Sequence, residues 1–299
     1  MKNLIAIALL LAISAAVIAQ DSVKKDTAWK IGGMFSLTVS QAGFTNWSAG
    51  GENSYAGNGR LGLTANYAKN KSSWENGFDM AYGRSKQGSQ NVRKTDDFIE
   101  LNSKYGYKAS KKWYYSAVFN GKTQLENGYE YSDIDSVADV RISGPMNPLR
   151  INLAIGMDYK PDAYLSLFLS PLSLKYTYVS DTTLGAKFSL DPNTTSRTDF
   201  GALIKFKYER GFYQDKLNFL TKLDLFGDYQ ELNAPDDIDV NWEVILTFNV
   251  FKVLSFNINT HLIWDKDINF TEKNADGSTS DVSKIQFKEV IGAGIAYKF

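Results

Sequence analysis

From Lys30 onward apolar and polar residues alternate with a period of two, the spacing that sends successive side chains to opposite faces of a β-strand. In residues 30–40, Ile31, Phe35, Leu37 and Val39 share one face, with Lys30, Ser36, Thr38 and Ser40 on the other. The same alternation marks strands over 59–67, 73–83, 98–107 and 113–120. It is cleanest over 149–159, where Leu149, Ile151, Leu153, Ile155, Met157 and Tyr159 interleave with Arg150, Asn152, Ala154, Gly156 and Asp158. In residues 164–178 the phase changes: Leu165, Leu167 and Leu169 are odd-numbered, whereas Leu172, Leu174, Tyr176 and Tyr178 are even. Pro171 stands at the switch. Proline cannot donate to a ladder and one extra residue flips the face, so a β-bulge is predicted there. Further strands are predicted over 202–208, 217–225, 242–250, 254–264 and 285–299.

The connections alternate between short and long. Short turns fall at 68–72, 109–112, 160–162, 210–215 and 251–253; long polar loops fall at 41–58, 84–96, 123–148, 180–197, 228–239 and 265–284. About twelve strands, an even number, with this alternation predict an all-β fold: a transmembrane antiparallel up-and-down β-barrel with short periplasmic turns and long extracellular loops. A soluble β-sandwich or lipocalin-like barrel is the competing architecture. It would not tolerate charges in mid-strand on its buried face, and it has no reason to collect aromatics at strand ends, as Tyr67, Trp74, Tyr105, Tyr107, Trp113, Trp242 and Trp264 do here.

Composition sharpens this reading without redirecting it. Mean hydropathy is −0.29, as expected when every second strand residue faces a polar lumen. Lys+Arg and Asp+Glu are both 33, so no net field points to nucleic acid. There is no cysteine, which excludes disulfides, thiolate metal sites and Cys nucleophiles. The inward face is predicted to carry Arg60, Lys104, Arg150, Lys175, Lys205, Lys207 and Lys222 against Glu75, Asp79, Glu100, Asp158, Asp224 and Glu243, together with His261. Mixed signs in a narrow barrel pair into a network, whereas a selective pore shows one dominant sign.

The N-terminus reads as an export signal. Lys2 precedes an apolar run over 4–18, too short for a membrane-spanning helix, with a cleavage site after Ala19. Residues 1–19 are then a cleaved signal peptide, 20–28 a short periplasmic lead and 29–299 the barrel, in the outer membrane of a Gram-negative-type cell. At the other end Ile295, Tyr297 and Phe299 share one face and finish on an aromatic. That pattern looks like the terminal strand recognised by the outer-membrane barrel-assembly machinery.

Within the first long loop lies Asn46-Trp47-Ser48-Ala49-Gly50-Gly51-Glu52-Asn53. This NWSxGGxN segment resembles the N-terminal motif of an uncharacterised family of outer-membrane β-barrels common in Bacteroidetes. The resemblance implies an outer-membrane barrel and transfers no catalytic residue. Physically, Gly50 and Gly51 permit a sharp turn, Trp47 is a large anchor, and Asn46, Ser48 and Asn53 can bond loop backbone. An ordered hairpin loop is the plainer reading, and a partner-docking surface the functional one.

No catalytic residue, metal site or cofactor is predicted. The one histidine, His261, shares parity with Asn257 and Asn259 and is placed in the lumen, not on the lipid-facing wall where a lipid hydrolase would need it. Asp236, Asp237, Asp239, Asp265 and Asp267 are assigned to external loops without the spacing of a calcium loop. The expected partners are outer-membrane lipid, the assembly machinery and an envelope protein. The expected role is a structural or scaffold barrel; a narrow diffusion channel is the alternative and a membrane-embedded hydrolase a remote one.

Overall fold

The computed structural model describes residues 28–42, 52–132, 138–214, 216–231, 233–250, 254–273 and 278–299. The signal-peptide segment 1–19 and the motif residues Asn46, Trp47, Ser48, Gly50 and Gly51 lie outside the described residues; Asn53 is described and exposed. The strands are β1 (Trp29–Ala42), β2 (Ser54–Lys69), β3 (Ser72–Gln87), β4 (Arg93–Lys108), β5 (Trp113–Thr123), β6 (Gly128–Glu130), β7 (Val140–Ser143), β8 (Leu149–Tyr159), β9 (Leu165–Tyr178), β10 (Ser196–Phe212), β11 (Leu217–Asp228), β12 (Ile238–Asn249), β13 (Leu254–Trp264), β14 (Asn269–Lys273), β15 (Thr279–Ser283) and β16 (Gln286–Lys298).

Twelve of them close into one antiparallel barrel in the order β1-β16-β13-β12-β11-β10-β9-β8-β5-β4-β3-β2. Its shortest strands have 11 residues, enough to cross a bilayer when tilted. Closure leaves no sheet edge, the condition for a sheet in hydrocarbon. The closing pair runs from Met34 opposite Lys298 to Val39 opposite Ala293. Gly33 and Phe299 then exchange two backbone hydrogen bonds, 2.8 and 3.0 Å, at the end of the seam. Ile295, Tyr297 and Phe299 all face outward and are exposed.

The period-two pattern maps onto the wall. Ile31, Val39, Ile155, Leu172, Phe256 and Ile291 project outward as part of an apolar band that continues from strand to strand. A soluble monomer rarely exposes so extended a surface, whereas a hydrocarbon slab covers it. Trp29, Tyr67 and Trp74 cluster at the short-turn end, with Trp29's ring centroid 5.3 Å from Tyr67 and 5.8 Å from Trp74. Such a cluster suits an interfacial girdle.

The bulge forms at Pro171. On one side Gly201 pairs with Ser173 and Leu203 with Ser170; on the other Ile155 pairs with Leu172 and Met157 with Leu169. Both neighbouring strands skip one residue there, and the inward set changes from Ser166, Phe168 and Ser170 to Ser173, Lys175 and Thr177. Gly156 sits opposite the extra residue, and a Cβ on it would lie 2.1 Å from the Leu169 carbonyl oxygen. Backbone cannot yield there as a flexible side chain would. Gly156→Ala is therefore expected to cost about 1–3 kcal/mol, the usual range for forced overpacking. Urea unfolding of the vesicle-refolded protein checks this; an unmoved midpoint would show that the bulge can absorb a methyl.

The loops hold more structure than alternation reveals. Residues 84–96, expected as a long loop, are mostly strand: β3 reaches Gln87, β4 starts at Arg93, and 88–92 connect them. The ladder continues beyond the apolar band, where neither face must be apolar and no period-two signal is required. The 123–148 loop contains the β6-β7 pair, the 265–284 loop contains β14-β15, and the 180–197 loop contains a 3₁₀ helix, Thr182–Phe188.

Candidate functional site in the lumen

The inward side chains meet in three tiers. At the short-turn end Lys104 Nζ donates to Asp158 at 2.6 Å and to Ser166 Oγ at 2.9 Å, while Ser166 donates to the same carboxylate at 2.7 Å. Lys160, in the turn after β8, pairs with Glu75 and lies 3.4 Å from Asp158, which is fully buried. Lys207, at this mouth, is half exposed and pairs with Glu209 at 2.8 Å.

In the middle tier Arg60 on β2 reaches Glu243 on β12 at 3.1 Å, a contact between strands with three others between them along the wall. Arg60 also lies 3.7 Å from Asp79, and Lys222 lies 3.6 Å from Glu243. Lys288 on β16 makes a similar chord to Asp96 on β4 at 3.0 Å. Glu100 accepts from Asn102 and Asn120, and Lys205 pairs with Asp224 at 2.5 Å. His261 Nε2 bonds Asn241 Oδ1 at 2.7 Å, inside the lumen.

At the loop end Lys175 gathers three carboxylates: Asp239 at 2.7 Å, Asp267 at 3.2 Å and Asp265 at 3.5 Å. Arg197 binds Asp199 at 2.6 Å and also pairs with Asp267. Asp239, Asp265 and Asp267 approach one another closely enough to ligate a cation, but the Lys175 ammonium already lies among them. Asp239 is thus an inward residue of β12 rather than part of an external loop, and Asp265 and Asp267 fold back over the lumen from the end of β13. The side chain of Asp236 lies outside the described residues. Burial opposes ionisation of Asp265, yet the charges of Arg150 and Lys175 outweigh it and hold this carboxyl below the usual carboxylate range.

One wall of the lumen is apolar. Val118, Ala154, Phe168, Leu203 and Phe226, from five successive wall strands, form a buried inward cluster with Phe168 only 1% exposed. Above it lies a cavity of about 570 Å³, lined by Val118, Leu203 and Phe226 of this wall, by Lys122 and Arg150, and by Lys187 and Phe188 of the 3₁₀ helix. Sequence reasoning picked out neither the apolar wall nor Lys122, Lys160 and Ser166. The wall had a signal, since Phe168, Leu203 and Phe226 share parity with Ser166, Lys205 and Asp224; Lys160 had none, being in a turn.

The family described as "Protein of unknown function (DUF3078)" matches residues 39–129, a stretch that includes the NWSxGGxN loop. No curated protein matches the chain. Among solved structures, the translocator domain of the autotransporter NalP from Neisseria meningitidis is similar at 11% identity and a TM-score of 0.40, covering 100% of this chain and 98% of its own. An outer-membrane channel from Pseudomonas putida F1 is similar at 13% identity and a TM-score of 0.38, covering 94% and 98%. Scores of this size lend no activity to the chain.

Proposed function

We propose that the chain is an integral outer-membrane barrel with a lumen closed by its own side chains, serving as a scaffold that holds its loops outward within an envelope assembly. The observation that carries this reading is the set of ion pairs crossing the lumen between non-neighbouring strands, above all Arg60–Glu243 and Lys288–Asp96. Charges buried in pairs hold position, because separating them leaves each one desolvated and alone. The apolar cluster of Val118, Ala154, Phe168, Leu203 and Phe226 narrows the lumen from one side.

In this reading residues 1–19 are removed on export, 20–28 lead from the periplasm, the short turns are periplasmic, and the strand ending in Phe299 is the assembly signal. The loop around Trp47, of the type found in Bacteroidetes barrels, would be the docking surface for an envelope partner. A hydrolase acting on membrane lipid has little support, because His261 faces the lumen and not the hydrocarbon.

The test is single-channel recording from the refolded protein in a planar bilayer, with insertion verified by heat-modifiable gel mobility. A silent membrane is expected. Reproducible conductance steps would overturn the closed lumen in favour of a narrow diffusion channel, the reading that the 570 Å³ cavity favours. Glu243→Gln weakens the Arg60 strut and is expected to introduce flickering conductance where the parent has none.

A further inference from the structure

We propose that the cavity at the loop end of the lumen is a binding site for a small organic anion, its charged group held between Lys122 and Arg150 and its apolar body laid on the aromatic wall. This goes beyond the scaffold reading and does not depend on it.

Lys122 and Arg150 are direct register partners on β5 and β8, both facing inward and both lining the cavity. Like charges directly opposite on neighbouring strands repel. Neither cation donates a hydrogen bond to the protein among the described residues, and Lys122 lies over the Phe98 ring, 4.8 Å from its centroid. Among the described residues Lys122 has one ion pair, 3.5 Å to Glu100, and Arg150 has one, 3.4 Å to Asp265. Glu100 Oε1 accepts from Asn102 and Asn120 and leaves Oε2 toward Lys122, beyond hydrogen-bond reach, while Asp265 Oδ2 is shared between Arg150 and Lys175 and its Oδ1 accepts from the Asp267 backbone N–H. Among the described residues, no hydrogen bond from Lys122 or from any Arg150 donor is made, and the Arg150 Nε is buried without an acceptor. By contrast Lys104, Lys175 and Lys205 each hold a carboxylate at 2.5–2.7 Å.

The third side of the cavity adds another positive group. Lys187, on the 3₁₀ helix above, makes no ion pair among the described residues. Of the carboxylates on the lining, Asp224 pairs with Lys205 and Asp97 with Lys94, while Asp239 shares Lys175 with Asp265 and Asp267. Glu130 stands apart, exposed on a loop strand. The donors of Lys122 and Arg150 are left without acceptors, and a carboxylate or phosphate between a guanidinium and an ammonium supplies them. Below these cations the floor is Val118, Leu203 and Phe226, with Phe98 beside them. A concave space of this volume with an apolar floor and a few convergent polar groups is the usual form of a small-molecule site.

The test uses full-length protein refolded into lipid nanodiscs, with empty nanodiscs as the blank. Binding of 2-naphthoate is measured by calorimetry beside 2-naphthamide, its uncharged isostere, and inorganic phosphate. Saturable 1:1 binding of naphthoate is expected, at least about tenfold tighter than either comparison compound, since the amide lacks the charge and phosphate the apolar body. Arg150→Gln and Lys122→Gln should each remove most of the acid-over-amide preference while leaving naphthamide binding unchanged. If Arg150→Gln fails to fold because it unbalances Asp265, Lys187→Gln on the loop helix should still weaken naphthoate several-fold. No saturable naphthoate binding, equal affinity for acid and amide, phosphate binding as tight as naphthoate, or indifference to all the substitutions would each overturn the proposal. Conductance is read separately, so a protein that conducts but binds naphthoate as expected would refute the closed lumen and keep this site.

Discussion

Deletion of Pro171 is expected to abolish assembly of the barrel. The residue is the extra one in β9, and the strands on either side skip one partner to accommodate it. Without it, one half of β9 must slip by one position, which sends every side chain in that half to the opposite face. Ser173, Lys175 and Thr177 would turn to the membrane, while Leu174, Tyr176 and Tyr178 would crowd the lumen. A lysine on the lipid face costs up to about 2–4 kcal/mol, depending on depth. Stripping Lys175 from Asp239, Asp265 and Asp267 leaves three buried carboxylates without their shared cation, roughly another 3–5 kcal/mol by comparison with other broken buried pairs. Together these are comparable with the whole stability of an ordinary domain. The readout is heat-modifiable gel mobility after refolding into vesicles: a protein that still runs as the compact form, with an unchanged urea midpoint, would mean that the phase change is tolerated elsewhere. Pro171→Ala, which keeps the residue count, is expected to fold.

Asp158→Asn should be the most destabilising single isosteric change in the lumen. Asp158 is the fully buried anion of the lower tier; Lys104 and Ser166 donate to it and Lys160 lies near it. The amide keeps the shape but cannot balance two ammonium groups, and its NH₂ presents further donors to them. A loss of about 3–5 kcal/mol is expected, the cost of an uncompensated buried charge. Urea titration of the refolded barrel measures it. Adding Lys104→Met to Asp158→Asn should recover part of the loss, because the second change removes one of the two cations then left to share Glu75 alone; strictly additive destabilisation would show that the two residues do not act as a pair. Ser166→Ala, which takes away one neutral donor, should cost no more than about 0.5–1.5 kcal/mol.

Much of the wall can be read along the chain, because a strand reports its own two faces residue by residue. The parity of Leu149 to Tyr159 places Arg150 and Asp158 on the inside without knowledge of any neighbour. The phase break at Pro171 is equally local. Where the ladder extends beyond the apolar band the signal fades: Arg84, Lys86, Arg93 and Lys94 are strand residues, and nothing in their order separates them from loop. The inward cluster was legible in principle from the parity of Phe168, Leu203 and Phe226, yet a rule that expects a polar lumen passes over apolar inward residues.

Side-chain partnership is another matter. Arg60 and Glu243 lie 183 positions apart, and their meeting depends on how twelve strands tilt and close into a ring. Asp239, Asp265 and Asp267 come from two strand ends and converge on Lys175 of a third. The adjacency of Lys122 and Arg150 depends on the register between β5 and β8, set across a connection that itself holds a two-stranded sheet. Which face a residue takes is thus a one-dimensional property, carried by the alternation of covalent geometry and by the cost of a charge in hydrocarbon. Which charge answers which is a property of closure, because ion pairing falls off over a few ångströms and only the finished barrel brings distant positions within that range.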